Sequence, residues 1–136
     1  MSTSAIALPA ARWTARAGAA VSGLAIVFLL LDAVSHLLVP PPVVEAFGRL
    51  GFPARLAAPL GILELACLAA YAWPRSAPLG AILLTGYLGG AISINLRVGD
   101  PAFETLFPAL IGILVWGGLY LREGRLQALL PLRRGR

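Results

Sequence analysis

"GLAIVFLLLDAVSHLLVPPP", residues 23–42, decides the fold. Before the prolines, only Asp32, Ser35 and His36 interrupt the apolar residues. Counted back to Ala17, the run approaches the roughly 20 residues a membrane-spanning helix needs. Pro40, Pro41 and Pro42 cannot continue a helix interior, so the first span is expected to stop near Val39. Asp32 and His36 stand four residues apart. In a helix that spacing puts both side chains on one face, within reach of each other.

Working outward, three more apolar stretches follow, at about residues 55–73, 78–96 and 106–121. "WPRSAP" (73–78) reads as a tight turn between the second and third, and "RVGDPAFE" (97–104) separates the third from the fourth. The first stretch is too long for a cleaved signal, lacks a small-residue cleavage site and is followed by three more spans. The expected fold is all-α: a polytopic membrane four-helix bundle. Its expected parts are an N-terminal segment (1–16), a four-span domain (17–121) and a basic C-terminal tail (122–136).

Composition agrees. The chain of 136 residues is 59% hydrophobic and 12% charged, with a mean hydropathy of +0.85. Soluble domains carry about 25% charged residues. The net charge of +5 comes entirely from arginine, since there is no lysine. The arginines cap apolar runs and form no stripe, which suits anchoring at anionic lipid and gives no support to nucleic-acid binding. Arg12, Arg16, Arg75, Arg122, Arg125, Arg133, Arg134 and Arg136 fall on one side, opposed only by Glu123. Arg49, Arg55 and Arg97 fall on the other, offset by Glu45, Asp100 and Glu104. The positive-inside rule then makes both termini cytoplasmic.

Depth places the remaining polar groups. At about 1.5 Å per residue, Asp32 lies roughly 10 Å below the outer end of its span and His36 about 4–5 Å. Glu64 and Tyr87 each lie roughly 13 Å down, with Asn95 and Arg97 near the mouth. Tyr87, Ala91 and Asn95 share a helical face. Asp32, Glu64 and Tyr87 are thus expected to meet at one level, with His36, Asn95 and Arg97 above, in a polar-floored cavity open to the outer face. A carboxylate at mid-membrane costs about 2.5–3.5 kcal/mol on insertion scales, and such residues are functional by default. "TGYLGGAIS" (85–93) spaces Gly86 and Gly90, and Gly89 and Ser93, for close helix contact. That contact is expected within the bundle rather than at a dimer face. Cys67, the only cysteine, reads as a small buried hydrophobe. The tail "REGRLQALLPLRRGR" (122–136) reads as an interfacial anchor.

"LLTGYLGGA" (83–91) and "LRVGDP" (96–101), within residues 20–132, resemble the DoxX-like family of small bacterial membrane proteins. The resemblance implies a four-helix bundle in the bacterial cytoplasmic (inner) membrane. It also implies links, in some relatives, to quinone-coupled sulfur oxidation or to complexes for oxidative or thiol stress. Asp32, Glu64, Tyr87, Arg97 and Asp100 match positions that look typical of the family. Relatives usually carry a lysine where this chain has His36, and a histidine where it has Asn95. The partner of Asp32 has thereby changed from a fixed cation to a group that titrates near neutrality.

Three functions fit. The first is acid–base catalysis on a small lipophilic substrate, such as isomerisation, epoxide opening or cyclisation. Asp32, His36 and Glu64 are then the catalytic residues, Tyr87, Asn95 and Arg97 bind substrate, and no cofactor is needed. The second is a non-catalytic membrane subunit that holds a quinone through Tyr87 and His36 beside an oxidoreductase partner protein. The third is a structural or lipid-binding protein. The sequence lacks metal-ligand clustering: one histidine, one cysteine and scattered acids are too few for a firm metal site, and no metal ligands are expected. The sequence carries no Ser-His-Asp set, phosphate loop or haem signature.

Overall fold

The computed structural model describes residues 9–130. Every described element is helical: α1 (Pro9–Leu38), α2 (Pro41–Arg49), a 3-10 turn (Ala54–Leu56), α3 (Ala57–Ala72), α4 (Ala77–Val98), α5 (Ala102–Arg122) and α6 (Gly124–Leu129). Four segments are long and apolar enough to cross a membrane: Ala11–Leu38, Ala54–Ala72, Ala77–Val98 and Ala102–Arg122. Large apolar side chains such as Leu24, Leu31, Ile62, Ile82 and Ile113 point outward on all four. An apolar surface that extensive is solvated by lipid, not water. The protein is an all-α, multi-pass membrane bundle.

α1 packs on α3 and α5, and α4 packs on the same two, so the four long helices form a ring. The start of α1 meets the end of α5, where Gly18 lies against Gly118, Leu121 and Arg122. The α3–α4 turn shares that end. The opposite end holds α2, the 3-10 turn and the α4–α5 connection.

α1 starts earlier than expected, at Pro9, because proline suits a first helical turn and the Ala and Arg residues that dominate positions 10–16 are strong helix formers. It stops as expected. Val39 takes φ 49°, a left-handed conformation unfavourable for a β-branched residue. The prolines then do what the stop reading does not anticipate. Pro41 and Pro42 occupy the first turn of α2, where a missing N–H costs nothing. α2 buries Phe47 and ends at Gly51, φ 77°. α4 ends on Gly99, φ 72°, with Gly99 N–H and Asp100 N–H donating to Leu96 O and Asn95 O. This is a Schellman closure that needs the left-handed glycine.

The close helix contacts differ from expectation. A Cβ on Gly86, Gly89 or Gly90 would meet nothing within 4 Å, so that stripe is not a seam of the bundle. The seams lie at other glycines. Gly118 abuts Ser22, Gly80 abuts the Tyr71 backbone, and a Cβ on Gly61 would come within 2.9 Å of both Ala33 O and His36 Cβ. Spacing shows which glycines can approach a neighbour; which way they face depends on helix rotation. At the end shared by the chain termini, Ser22 Oγ lies 2.9 Å from Tyr71 Oη, which donates to Val115 O at 2.7 Å. That chain ties α1, α3 and α5 together. The tail forms α6 as far as Leu129, with Gln127 Nε2 donating to Tyr120 O at 2.7 Å. Residues 131–136 of the expected anchor, and Ser4 at the other end, lie outside the described residues.

α5 contains Pro108. Having no N–H, it leaves the carbonyl of Glu104, four residues earlier, without its helical donor. Asn95 Nδ2 reaches across from α4 to that oxygen at 3.4 Å, while also donating to Ala91 O at 3.0 Å.

Candidate functional site

His36 is the hub. Its Nδ1 lies 3.6 Å from Asp32 Oδ2 and 3.6 Å from Glu64 Oε2. The same nitrogen is 2.9 Å from Asp32 O. A carbonyl oxygen only accepts, so Nδ1 carries the proton in this arrangement. Tyr87 Oη donates to Glu64 Oε2 at 3.1 Å. Four side chains from α1, α3 and α4 therefore converge: Asp32, Glu64 and Tyr87, expected at one level, and His36, expected above them.

The vertical order differs. Depth places His36 well above Glu64, yet the two side chains are neighbours. The reason is direction. Side chains lean toward the N-terminus of their own helix. α1 and α3 run oppositely through the bundle, so His36 leans inward and Glu64 leans outward, closing the gap. Gly61, one turn before Glu64, removes the side chain that would hold α3 off α1 at His36.

Burial is graded. Glu64 is fully buried, the His36 side chain is 17% exposed and Asp32 is 41% exposed. Asp32 lies well inside its span and is the most exposed of the three. From the α2 end, Phe47 covers the site, its ring edge-on to His36 with centroids 5.5 Å apart. Phe52 meets Phe47 edge-on behind it, with centroids 6.4 Å apart. One oxygen of the buried carboxylate, Glu64 Oε1, has no hydrogen-bond partner.

Asn95 and Arg97 take other partners. Asn95 serves the Pro108 defect. Arg97 Nη2 donates to Leu50 O at 2.8 Å, closing the C-terminus of α2. Arg49 Nε pairs with Asp100 Oδ1 at 3.3 Å. Together these contacts strap α2 across the end of the bundle. No hydrogen bond or ion pair among the described residues joins Asn95 or Arg97 to the Asp32–His36–Glu64–Tyr87 cluster. Phe47 and Gly61 were missed by sequence reasoning. Their signals are an aromatic at helical spacing from Val43 and Val44 in the short segment after the prolines, and a glycine one turn before an intramembrane acid.

A separate groove of about 320 Å³ runs between α4 and α5, lined by Leu88, Gly89, Ile92, Pro108 and Gly112. Trp116 Nε1 donates to Thr85 Oγ1 at 2.7 Å along it. It holds no ionisable group. Cys67 is buried in the apolar core.

Neither the curated proteins nor the solved structures offer a match to this chain. The family profile described as DoxX-like matches residues 20–118, which takes in most of the four spans and all four clustered side chains. The chain belongs to the DoxX-like family.

Proposed function

We propose that this protein binds a small lipophilic molecule at Asp32, His36, Glu64 and Tyr87 and performs acid–base chemistry on it. One observation carries the reading: a fully buried carboxylate whose Oε2 is shared by His36 and Tyr87 while its Oε1 has no partner. A buried polar atom left unpaired costs about 1–3 kcal/mol, more when charged. A ligand hydroxyl, epoxide or carbonyl seated there offers or receives the missing hydrogen bond. Tyr87 fixes the carboxyl rotamer. Asp32 and His36 form a second proton-carrying pair beside it. One group takes a proton from the ligand as the other returns one, which balances an isomerisation or cyclisation. The partial exposure of Asp32, well inside its span, supports a ligand that arrives from lipid. The arginine distribution supports both termini on the cytoplasmic side, and membership of the DoxX-like family supports the bacterial cytoplasmic membrane as the location.

The test is extraction of lipophilic molecules from purified protein, with mass spectrometry of the parent and of Glu64→Gln. A molecule enriched in the parent and depleted in the variant is the expected result. Identical extracts, matching bulk lipid, would overturn the reading.

A further inference from the structure

We propose that Asp32, His36 and Glu64 form a binding site for one divalent transition-metal cation, using imidazole nitrogen and two carboxylate oxygens. One donor atom from each residue lies within 4.8 Å of the other two. The two Nδ1–oxygen separations, both 3.6 Å, are longer than hydrogen bonds. They come close to a coordination edge. Donors placed tetrahedrally about 2.0–2.1 Å from Zn²⁺ sit roughly 3.3–3.4 Å apart. Spacing along the chain hides the set, because its third member comes from α3.

A cluster of acids and one histidine is common without any metal. The independent observation is Glu64 Oε1, an unpartnered oxygen on a side chain with no exposure at all. A cation shared with Oε2 would give that atom a partner. Charge argues the same way. Two carboxylates, a neutral imidazole and a divalent cation sum to zero, which is the cheapest state to hold in hydrocarbon. Ligation by Nδ1 moves the ring proton to Nε2 and gives up the 2.9 Å bond to Asp32 O. That carbonyl keeps a donor, since Ser35 Oγ donates to it at 2.7 Å. Tyr87, donating to Glu64 Oε2, is a positioning residue that orients the ligating carboxylate. Three protein donors leave a coordination position open for water or a ligand oxygen. The inference does not rest on the acid–base reading: the same atoms hold either protons or a cation.

The experiment uses the full chain with a non-histidine tag, purified in detergent, stripped with chelator and titrated with Zn²⁺ against a chromophoric competitor. Metal content of unstripped protein is measured in parallel. We expect one saturable equivalent per chain. Glu64→Gln and His36→Gln should each lower the affinity at least tenfold. Tyr87→Phe, which leaves the ligands in place, should lower it by about 10–100-fold, the usual cost of losing an orienting partner. Size-exclusion profiles and circular dichroism check that each variant folds. Asp32→Asn, at the most exposed of the three ligands, replaces any variant that aggregates. Absence of saturable Zn²⁺ uptake, or uptake equal in parent and folded variants, overturns the site. No substrate enters this measurement, so its failure leaves the ligand-extraction test above independent.

Discussion

Gly61→Ala tests whether the site depends on how closely α3 lies against α1. The added Cβ would stand 2.9 Å from Ala33 O and 2.9 Å from His36 Cβ. Ordinary contact begins near 3.4 Å, and the nearest atoms are a backbone oxygen and the root of a side chain, neither of which can swing away. The helices must therefore part by about half an ångström. Overpacking of this kind costs about 1–3 kcal/mol. The same step widens the His36–Glu64 gap beyond 3.6 Å. Misplacement by 1 Å can cost about 10²-fold in rate, so half that shift should cost roughly tenfold in turnover or ligand retention. Gly86→Ala is the matched control. It has nothing within 4 Å, and removing a helical glycine should leave stability unchanged or raise it by about 0.4–1 kcal/mol. Thermal unfolding in detergent, read beside ligand extraction, checks both. If Gly61→Ala melts with the parent while Gly86→Ala melts early, the assignment of the seams is wrong.

Asn95→Leu should destabilise the bundle by about 1–3 kcal/mol, because it strips the donor from the Glu104 carbonyl that Pro108 leaves open; adding Pro108→Ala should restore most of the loss on melting. Asp32→Asn should remove about 10²–10⁴-fold of turnover while keeping the fold, and His36→Lys should insert normally yet lose activity, since a fixed cation cannot cycle its proton near neutrality; parent-like rates in both would leave the pair as interhelical packing only. Cys67→Ala should keep activity within a few-fold, as the thiol only fills the core. In that background, a cysteine at Ser4 should resist an impermeant thiol reagent in intact cells, and labelling there would reverse the orientation.

The four long helices were legible because length and hydropathy suffice for a membrane span: nothing else in the sequence competes with a run such as residues 23–39. Glu64 and Tyr87 were legible as neighbours because depth is one-dimensional and the sequence counts it directly; His36, expected above them, reaches Glu64 only through the lean of the two side chains. Rotation about each helix axis is not counted that way. This is why the Gly86–Gly90 stripe was assigned inward and faces outward. It is also why Asn95 and Arg97, expected above the cluster, turn to Glu104 O and Leu50 O rather than to it. α2 was hidden because a proline run reads as a break, and only the phase of the following residues distinguishes a break from a helix start. The Arg49–Asp100 pair was hidden with it, since its partners become neighbours only once α2 folds back.

Phe47 lies across the α2 end of the cluster while Asp32 is partly exposed within its span. A ligand that enters past Asp32 never dissolves in the aqueous phase on its way to Glu64. Its occupancy is then governed by mole fraction in the bilayer, a two-dimensional concentration. In detergent, adding micelles at fixed ligand would dilute the ligand across more surface and lower occupancy, with nothing changed in the protein. A dissociation constant quoted per litre of buffer would drift with detergent content; one quoted per mole of lipid would hold steady.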